Sequence, residues 1–188
     1  MVPKPGVNSP VNLIAMNRSF AALALVSAAI GLLLLVALAF PSGRARLAQE
    51  VGGQGRTVLA FAWVVSVIAT GGSLYYSEIV GFTPCLLCWY QRIAMYPLVP
   101  VLGIAALTGD VRSWRYSVPL AAIGLAIAIY HVTIQFRPAL EITACLESVP
   151  CTARYVSAFG FVSIPVMAGG GFLLISALVL TARLDRWG

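Results

Sequence analysis

The sequence predicts an all-α integral membrane protein: a four-helix bundle with one additional transmembrane helix at its N-terminus. Composition is the first sign. Of 188 residues, 60% are hydrophobic and only 10% are charged, whereas soluble domains carry about a quarter charged residues. Segment length is the second. Five apolar runs approach the roughly 20 residues needed to cross about 30 Å of hydrocarbon. The third is placement: most of the charges fall between these runs.

Residues 1–18 form a polar lead containing Pro and Gly, expected to be disordered. Residues 19–40 are the extra helix, Ser19–Phe40. Lys4 and Arg18 before it and Ala37-Leu38-Ala39 at its end are similar to a signal peptide. Cleavage there would put Cys85 and Cys88 on the arginine-rich face of the membrane, so an uncleaved helix is expected. Thr57–Ile79 is the next span. The third run is short if counted from Ile93 to Leu107. It becomes long enough if the helix starts near Cys85, where Pro84 suits a helix start. Pro97 and Pro100 are then expected to kink it. Val118–Phe136 and Phe161–Leu180 complete the set. In the last of these, Gly169-Gly170-Gly171 permits close helix contact, and Pro165 is expected to introduce a kink. There is no internal repeat and no low-complexity tract.

The net charge of +6 on a soluble chain would suggest nucleic-acid binding. Here topology accounts for it, and no nucleic-acid partner is expected. Arg44, Arg46, Arg56, Arg112, Arg115, Arg183 and Arg186 share one side if all five runs cross. Lys4, Arg18, Arg92, Arg137 and Arg154 share the other. The positive-inside rule places the first set in the cytoplasm. The protein is then a multi-pass cell-membrane protein with its cysteines on the extracytoplasmic side. Trp89, Tyr90, Tyr155 and Trp187 near span ends suit an aromatic belt.

Four cysteines lie just outside apolar runs: Cys85 and Cys88 in a CxxC, and Cys145 and Cys151 in the polar stretch Arg137 to Ala158. Disulfides persist in extracytoplasmic compartments, and proximity in sequence favours Cys85–Cys88 and Cys145–Cys151. Structural staples explain the pairs poorly, because a CxxC bond closes a tiny loop and constrains little of the unfolded chain. A zinc site is the other bland explanation, in a non-enzymatic membrane protein whose cysteines hold metal. The spacing of the second pair is unusual for zinc. Redox chemistry suits them better. A thiolate is favoured at a helix N-terminus and beside a cation; Cys88 lies in the first turn, with Gln91 at i+3 and Arg92 at i+4 on its face. An arginine at this depth also reaches lipid phosphate by snorkelling; beside two cysteines it is expected to stabilise an anion. The exposed loop pair can meet a protein, and the CxxC a lipid-soluble acceptor.

Pro84-Cys85-Leu86-Leu87-Cys88-Trp89-Tyr90-Gln91-Arg92, followed by Met95-Tyr96-Pro97, resembles the DsbB family of membrane thiol oxidases, most nearly its short-loop BdbC type. Gly72-Ser73-Leu74-Tyr75-Tyr76-Ser77-Glu78-Ile79, Tyr130-His131 with Gln135, Val149-Pro150-Cys151, Phe159-Gly160-Phe161 and Ile164-Pro165 extend the likeness. It covers residues 57–183, the membrane redox domain. Family members usually have four spans, so the helix at 19–40 departs from the pattern, as does the close spacing of Cys145 and Cys151 relative to longer-loop members. The resemblance implies an enzyme that reoxidises a secreted DsbA- or BdbD-like thioredoxin-fold oxidase and passes two electrons to a quinone, ubiquinone or menaquinone. It further implies that Cys145 forms the mixed disulfide with the partner, and that Cys151 is its pair. Electrons would then reach Cys85–Cys88 by thiol–disulfide exchange, with Cys88 and Arg92 facing the quinone and Gln91 and His131 expected to help bind it. His131 and Glu78 are the candidate proton donors for quinone reduction. His131 has a side chain suited to proton transfer, and Glu78 equally suits an interfacial carboxylate. A reductase running electrons outward would need a cytoplasm-facing cysteine, which this topology lacks.

Overall fold

Proline and glycine set the helix boundaries. The structure is a computed structural model that describes residues 10–141 and 149–186. Its α-helices are α1 (Pro10–Ala39), α2 (Pro41–Val51), α3 (Gly55–Leu74), α4 (Leu86–Met95), α5 (Leu98–Thr108), α6 (Trp114–Phe136) and α7 (Ile164–Ala182). Helix α3 runs on through one π-helical turn, Tyr75–Ile79. Five stretches are long and apolar enough to cross a membrane: Asn12–Ala39, Gly55–Ile79, Leu86–Thr108, Val111–Phe136 and Ile164–Asp185. Large apolar side chains such as Leu33, Ile93, Ile104 and Leu107 point outward, as a lipid-facing surface requires.

The third span breaks at Pro97 as expected, whereas Pro100 falls in the first turn of α5, where no intrahelical N–H bond is lost, and makes no separate break. Pro97 has no N–H to continue the ladder, so α4 ends at Met95 and α5 begins at Leu98. Pro165 behaves differently from the expectation. It sits in the first turn of α7, where its missing N–H is one of the helix's unpaired donors anyway, so it starts the helix and does not kink it. Two further differences lie near the N-terminus. Helix α1 begins at Pro10, which carries it back into the lead expected to be disordered. Tertiary contacts hold this end: Asn17 Oδ1 accepts from the Tyr76 hydroxyl at 2.8 Å. The loop expected between the first two spans contains the short polar helix α2, which carries Arg44 and Arg46.

Helix α7 is the central element and packs against α1, α3 and α6. Phe172, Ile175 and Val179 from α7 join Leu59, Leu98 and Leu102 in a buried core. The triglycine works as expected at Gly170: a Cβ there would lie 2.5 Å from the Ala24 carbonyl oxygen of α1. At Gly31 of α1 a Cβ would lie 3.0 Å from the Leu174 backbone. Two backbones approach this closely only through glycine.

The bundle has chemically distinct ends. At one, Arg56 donates to the Ala106 carbonyl at 2.9 Å, Arg183 stacks on Trp114, and Asp185 accepts from the Gly53 and Gly55 amides. At the other lie Cys85, Cys88, His131, Cys151 and an aromatic row in which Tyr76, Phe82 and Tyr155 stack in sequence.

Candidate functional site

Cys85 is the N-cap of α4, with extended backbone (φ −74°, ψ 172°). Its sulfur accepts from the Cys88 backbone N–H at 3.4 Å, as a serine or aspartate cap would. The two sulfurs lie 2.9 Å apart, and both residues are free thiols. Cys85 is buried and Cys88 half-buried. A hydrogen bond from the Cys88 thiol holds the Cys85 thiol below the ordinary thiol range. Burial opposes this, and the His131 ring nitrogen adds to the lowering. The helix N-terminus was expected to favour a thiolate on Cys88. The groups that favour an anion converge instead on Cys85.

His131 joins the two ends of the thiol system. It projects from α6 and is fully buried. Its Nε2 lies 2.9 Å from the Cys151 carbonyl oxygen and 3.7 Å from Cys85 Sγ. A carbonyl only accepts, so Nε2 carries the proton and donates. Nδ1 is then an acceptor, and the Gln91 side-chain amide donates to it at 3.1 Å. Gln91, expected beside the acceptor, thus also sets the His131 tautomer.

Cys151 is fully buried and disulfide-bonded. It shares one buried cluster with Cys85, Leu87 and Ile134. Gln135 of α6 holds the segment after it: Ser163 Oγ donates to Gln135 Oε1 at 2.7 Å, Gln135 Nε2 donates to the Ala153 carbonyl at 3.4 Å, and Arg154 donates to the Gln135 carbonyl at 2.9 Å. A turn from Pro150 to Ala153 completes the anchor. Cys145 and Glu147 lie outside the described residues.

Arg92 turns away from the histidine network. Its Nε donates to Ser73 Oγ at 3.0 Å and a terminal nitrogen donates to the Ser73 carbonyl at 3.1 Å. The guanidinium carbon also lies 5.2 Å from the Trp89 ring centroid. This fork fixes Arg92 against α3. Arg92 and Cys88 together line a mostly apolar cavity of about 220 Å³ between α1, α3, α4 and α7. Ser73, Tyr76, Met95 and Gly171 also face it. The two thiols of the motif are therefore placed differently: both pack in the cluster around Cys151, but Cys88 alone of the two also lines the cavity.

Residues 55–182 match the family model described as "Disulfide bond formation protein DsbB". The chain belongs to the DsbB family. The match spans α3 to α7 and all four cysteines; α1 and α2 lie outside it. Disulfide bond formation protein C of Bacillus subtilis is 51% identical over 122 residues, 64% of this chain and 88% of the relative. A probable disulfide formation protein C 1 of Bacillus cereus is 53% identical over 116 residues, 61% of this chain and 84% of the relative. A probable disulfide formation protein of Oceanobacillus iheyensis is 43% identical over 134 residues, 70% of this chain and 92% of the relative. No solved structure matches the chain significantly.

The fold brings the family cysteines Cys85, Cys88 and Cys151 together with Gln91 and His131. It leaves Glu78 apart from them, exposed and bonded to the Ser77 hydroxyl at 3.0 Å. Sequence reasoning quoted Ser73 only as part of a likeness and gave it no role. A serine inside an apolar span was the available signal, since polar groups there usually face a partner. The contribution of α1 to the cavity had no such signal, because α1 is apolar on all sides over most of its length.

Proposed function

We propose that the protein is a membrane thiol oxidase that reoxidises an extracytoplasmic dithiol protein of thioredoxin type and passes the electrons to a membrane quinone. The observation that carries this reading is the placement of the CxxC: both thiols pack in the cluster of Cys151, and Cys88 alone of the two also lines the cavity with Arg92. A relay between a protein and a lipid-soluble acceptor needs one thiol on each side.

The partner's thiolate attacks Cys145, and Cys151 leaves as a thiolate. Resolution by the partner's second thiol releases the oxidised partner. The Cys151 thiolate attacks Cys85 in the Cys85–Cys88 disulfide, and Cys88 leaves. Cys145 then attacks Cys151, restores the loop disulfide and expels Cys85 as a thiolate. The Cys88 backbone N–H and His131 Nε2–H receive that charge. The outcome is one oxidised partner and one Cys85–Cys88 dithiol. Cys88 and Arg92 would hold a quinone in the cavity, which would serve as two-electron acceptor: the Cys85–Cys88 pair gives up two electrons and re-forms its disulfide, one proton comes from the Cys88 thiol, and the second is one of those the partner's dithiol released to solvent. The walls suit such a ring: they are mostly apolar, with Cys88, Gln91 and the Ser73-anchored Arg92 among the polar groups. The cavity is below the roughly 300–1,000 Å³ of pockets for drug-sized ligands, which fits one ring with its tail outside. Arg92 would stabilise negative charge on a ring oxygen there. The arginine-rich end faces the cytoplasm by the positive-inside rule, so the cysteine end faces outward.

A second reading has one observation in its favour. Ligand atoms of Cys85, Cys88 and His131 lie within 4.8 Å of one another, as a metal site requires. Binding metal through Nε2 would require it to give up the proton it donates to Cys151, so the oxidase reading is preferred.

The deciding experiment is purification in detergent, organic extraction of bound quinone, and reduction of that quinone by a reduced thioredoxin-fold oxidase. Wild type is expected to turn over and Cys88→Ser to be inactive. Full activity in Cys88→Ser overturns the mechanism, and stoichiometric zinc with no disulfide favours the second reading.

A further inference from the structure

Helix α1 lies outside the matched family region, yet it closes the acceptor cavity. Phe20, Leu23, Ala24 and Ser27 line the space that Cys88 and Arg92 share. Their spacing, i, i+3, i+4 and i+7, puts them on one face of the helix. Three contacts hold that face in place. Asn17 accepts from the Tyr76 hydroxyl, and Tyr76 itself lines the cavity. The Phe20 ring lies 5.9 Å from the Tyr76 ring. Gly170 lets the α7 backbone meet the Ala24 carbonyl. Without α1, the groove between α3 and α7 beside Cys88 would open straight to lipid.

We propose that α1 is the fourth wall of the quinone site and determines which quinone ring it accepts. This rests on the oxidase reading above. An open groove would tolerate rings of different width, because lipid yields to them. A wall packed against glycine backbone does not yield, so ring size is read by the gap between α1 and Arg92. Ser27 is the polar member among the four wall residues, and it gives that face a hydroxyl able to meet a quinone oxygen.

The test uses the full chain in detergent, with dithiothreitol as electron donor. Acceptors are ubiquinone carrying a single isoprene unit and menadione, a naphthoquinone without a tail. Ser27→Phe fills the cavity from α1 and is expected to raise KM for menadione by about tenfold. Leu23→Ala removes bulk from a residue more than half exposed, so it threatens folding little. It is expected to change the ratio of the two KM values by about threefold. In both variants, single-turnover reduction of the Cys85–Cys88 disulfide by dithiothreitol is expected to stay at the wild-type rate. Wild-type KM values for both quinones in both variants overturn the role of α1. If wild-type protein reduces neither quinone while its thiol exchange is intact, the oxidase reading itself fails. These two failures are therefore distinguishable.

Discussion

His131 donates from Nε2 to the Cys151 carbonyl oxygen at 2.9 Å, across the boundary between α6 and the loop that follows it. The same N–H lies 3.7 Å from Cys85 Sγ. One histidine thus pins the loop cysteine next to the helix cysteine with which it would exchange.

Removing that pin has a measurable cost. His131→Ala leaves the Cys151 carbonyl and the Gln91 amide without their buried partner. Such losses cost about 1–3 kcal/mol, or roughly 5- to 150-fold in a rate that depends on the arrangement. Exchange between the loop pair and Cys85–Cys88, followed by acid quenching and thiol mapping, is expected to slow within that range. Quinone reduction from a pre-reduced CxxC is expected to change less. An unchanged exchange rate would remove His131 from the relay.

Cys88→Ser separates the two thiols differently. Cys85 keeps its place in the cluster with Cys151. With no Cys88 sulfur to pair with, Cys85 is expected to accumulate in a disulfide with Cys151 under mild oxidation. Non-reducing proteolysis and mass spectrometry of the linked peptides check this. Accumulation of a Cys85 link to the partner protein instead would reverse the assigned order.

The Arg92–Ser73 fork predicts that charge alone is insufficient. Arg92→Lys keeps the charge but loses the pair of parallel bonds to Ser73. A hydrogen bond involving a charged group contributes about 1.5–3 kcal/mol, so kcat/KM for quinone is expected to fall by roughly tenfold or more. Ser73→Ala removes one of the two bonds and is expected to fall between wild type and Arg92→Lys. Steady-state kinetics with quinone varied at saturating thiol donor decide it, and equal values for all three proteins would refute the positioning role.

The reduced enzyme should carry an acidic thiol. Cys85, which the Cys88 thiol and then His131 hold below the ordinary thiol range, is expected to ionise at lower pH than a free thiol. Its alkylation rate is expected to fall less steeply from pH 8 to about 5 than that of an ordinary thiol, near 8.5, which loses about tenfold per pH unit over that range. The folded-state value lies below the unfolded one, so the shift stabilises the reduced protein. That contribution is full above the ordinary thiol value and is lost as pH falls through the lowered folded-state value. Chemical denaturation of the reduced and oxidised forms at several pH values gives the second readout.

Much of this was legible without coordinates. Segment length and apolarity located the spans, because the bilayer imposes one length on any helix that crosses it. Pro84 and the CxxC marked the start of α4, since the first turn has unpaired N–H groups for a cap to meet. Position i+4 placed Arg92 one turn beyond Cys88. The family likeness singled out His131 and Gln135.

What stayed hidden concerns neighbours. The sequence determined that Cys85 and Cys88 share the first turn of a membrane helix, with Arg92 on the face of Cys88. Periodicity gives direction only relative to the helix's own axis, so it could not say which helix each thiol faces. Packing decided that Cys85 meets His131 and Cys151, that Arg92 is held by Ser73, and that Cys88 opens on the cavity. The role of α1 was least legible of all. A helix apolar on nearly every side has no pattern to mark its inner face. The close approach of Gly170 to Ala24, with the contacts of Asn17 and Phe20 to Tyr76, selects the face that closes the site.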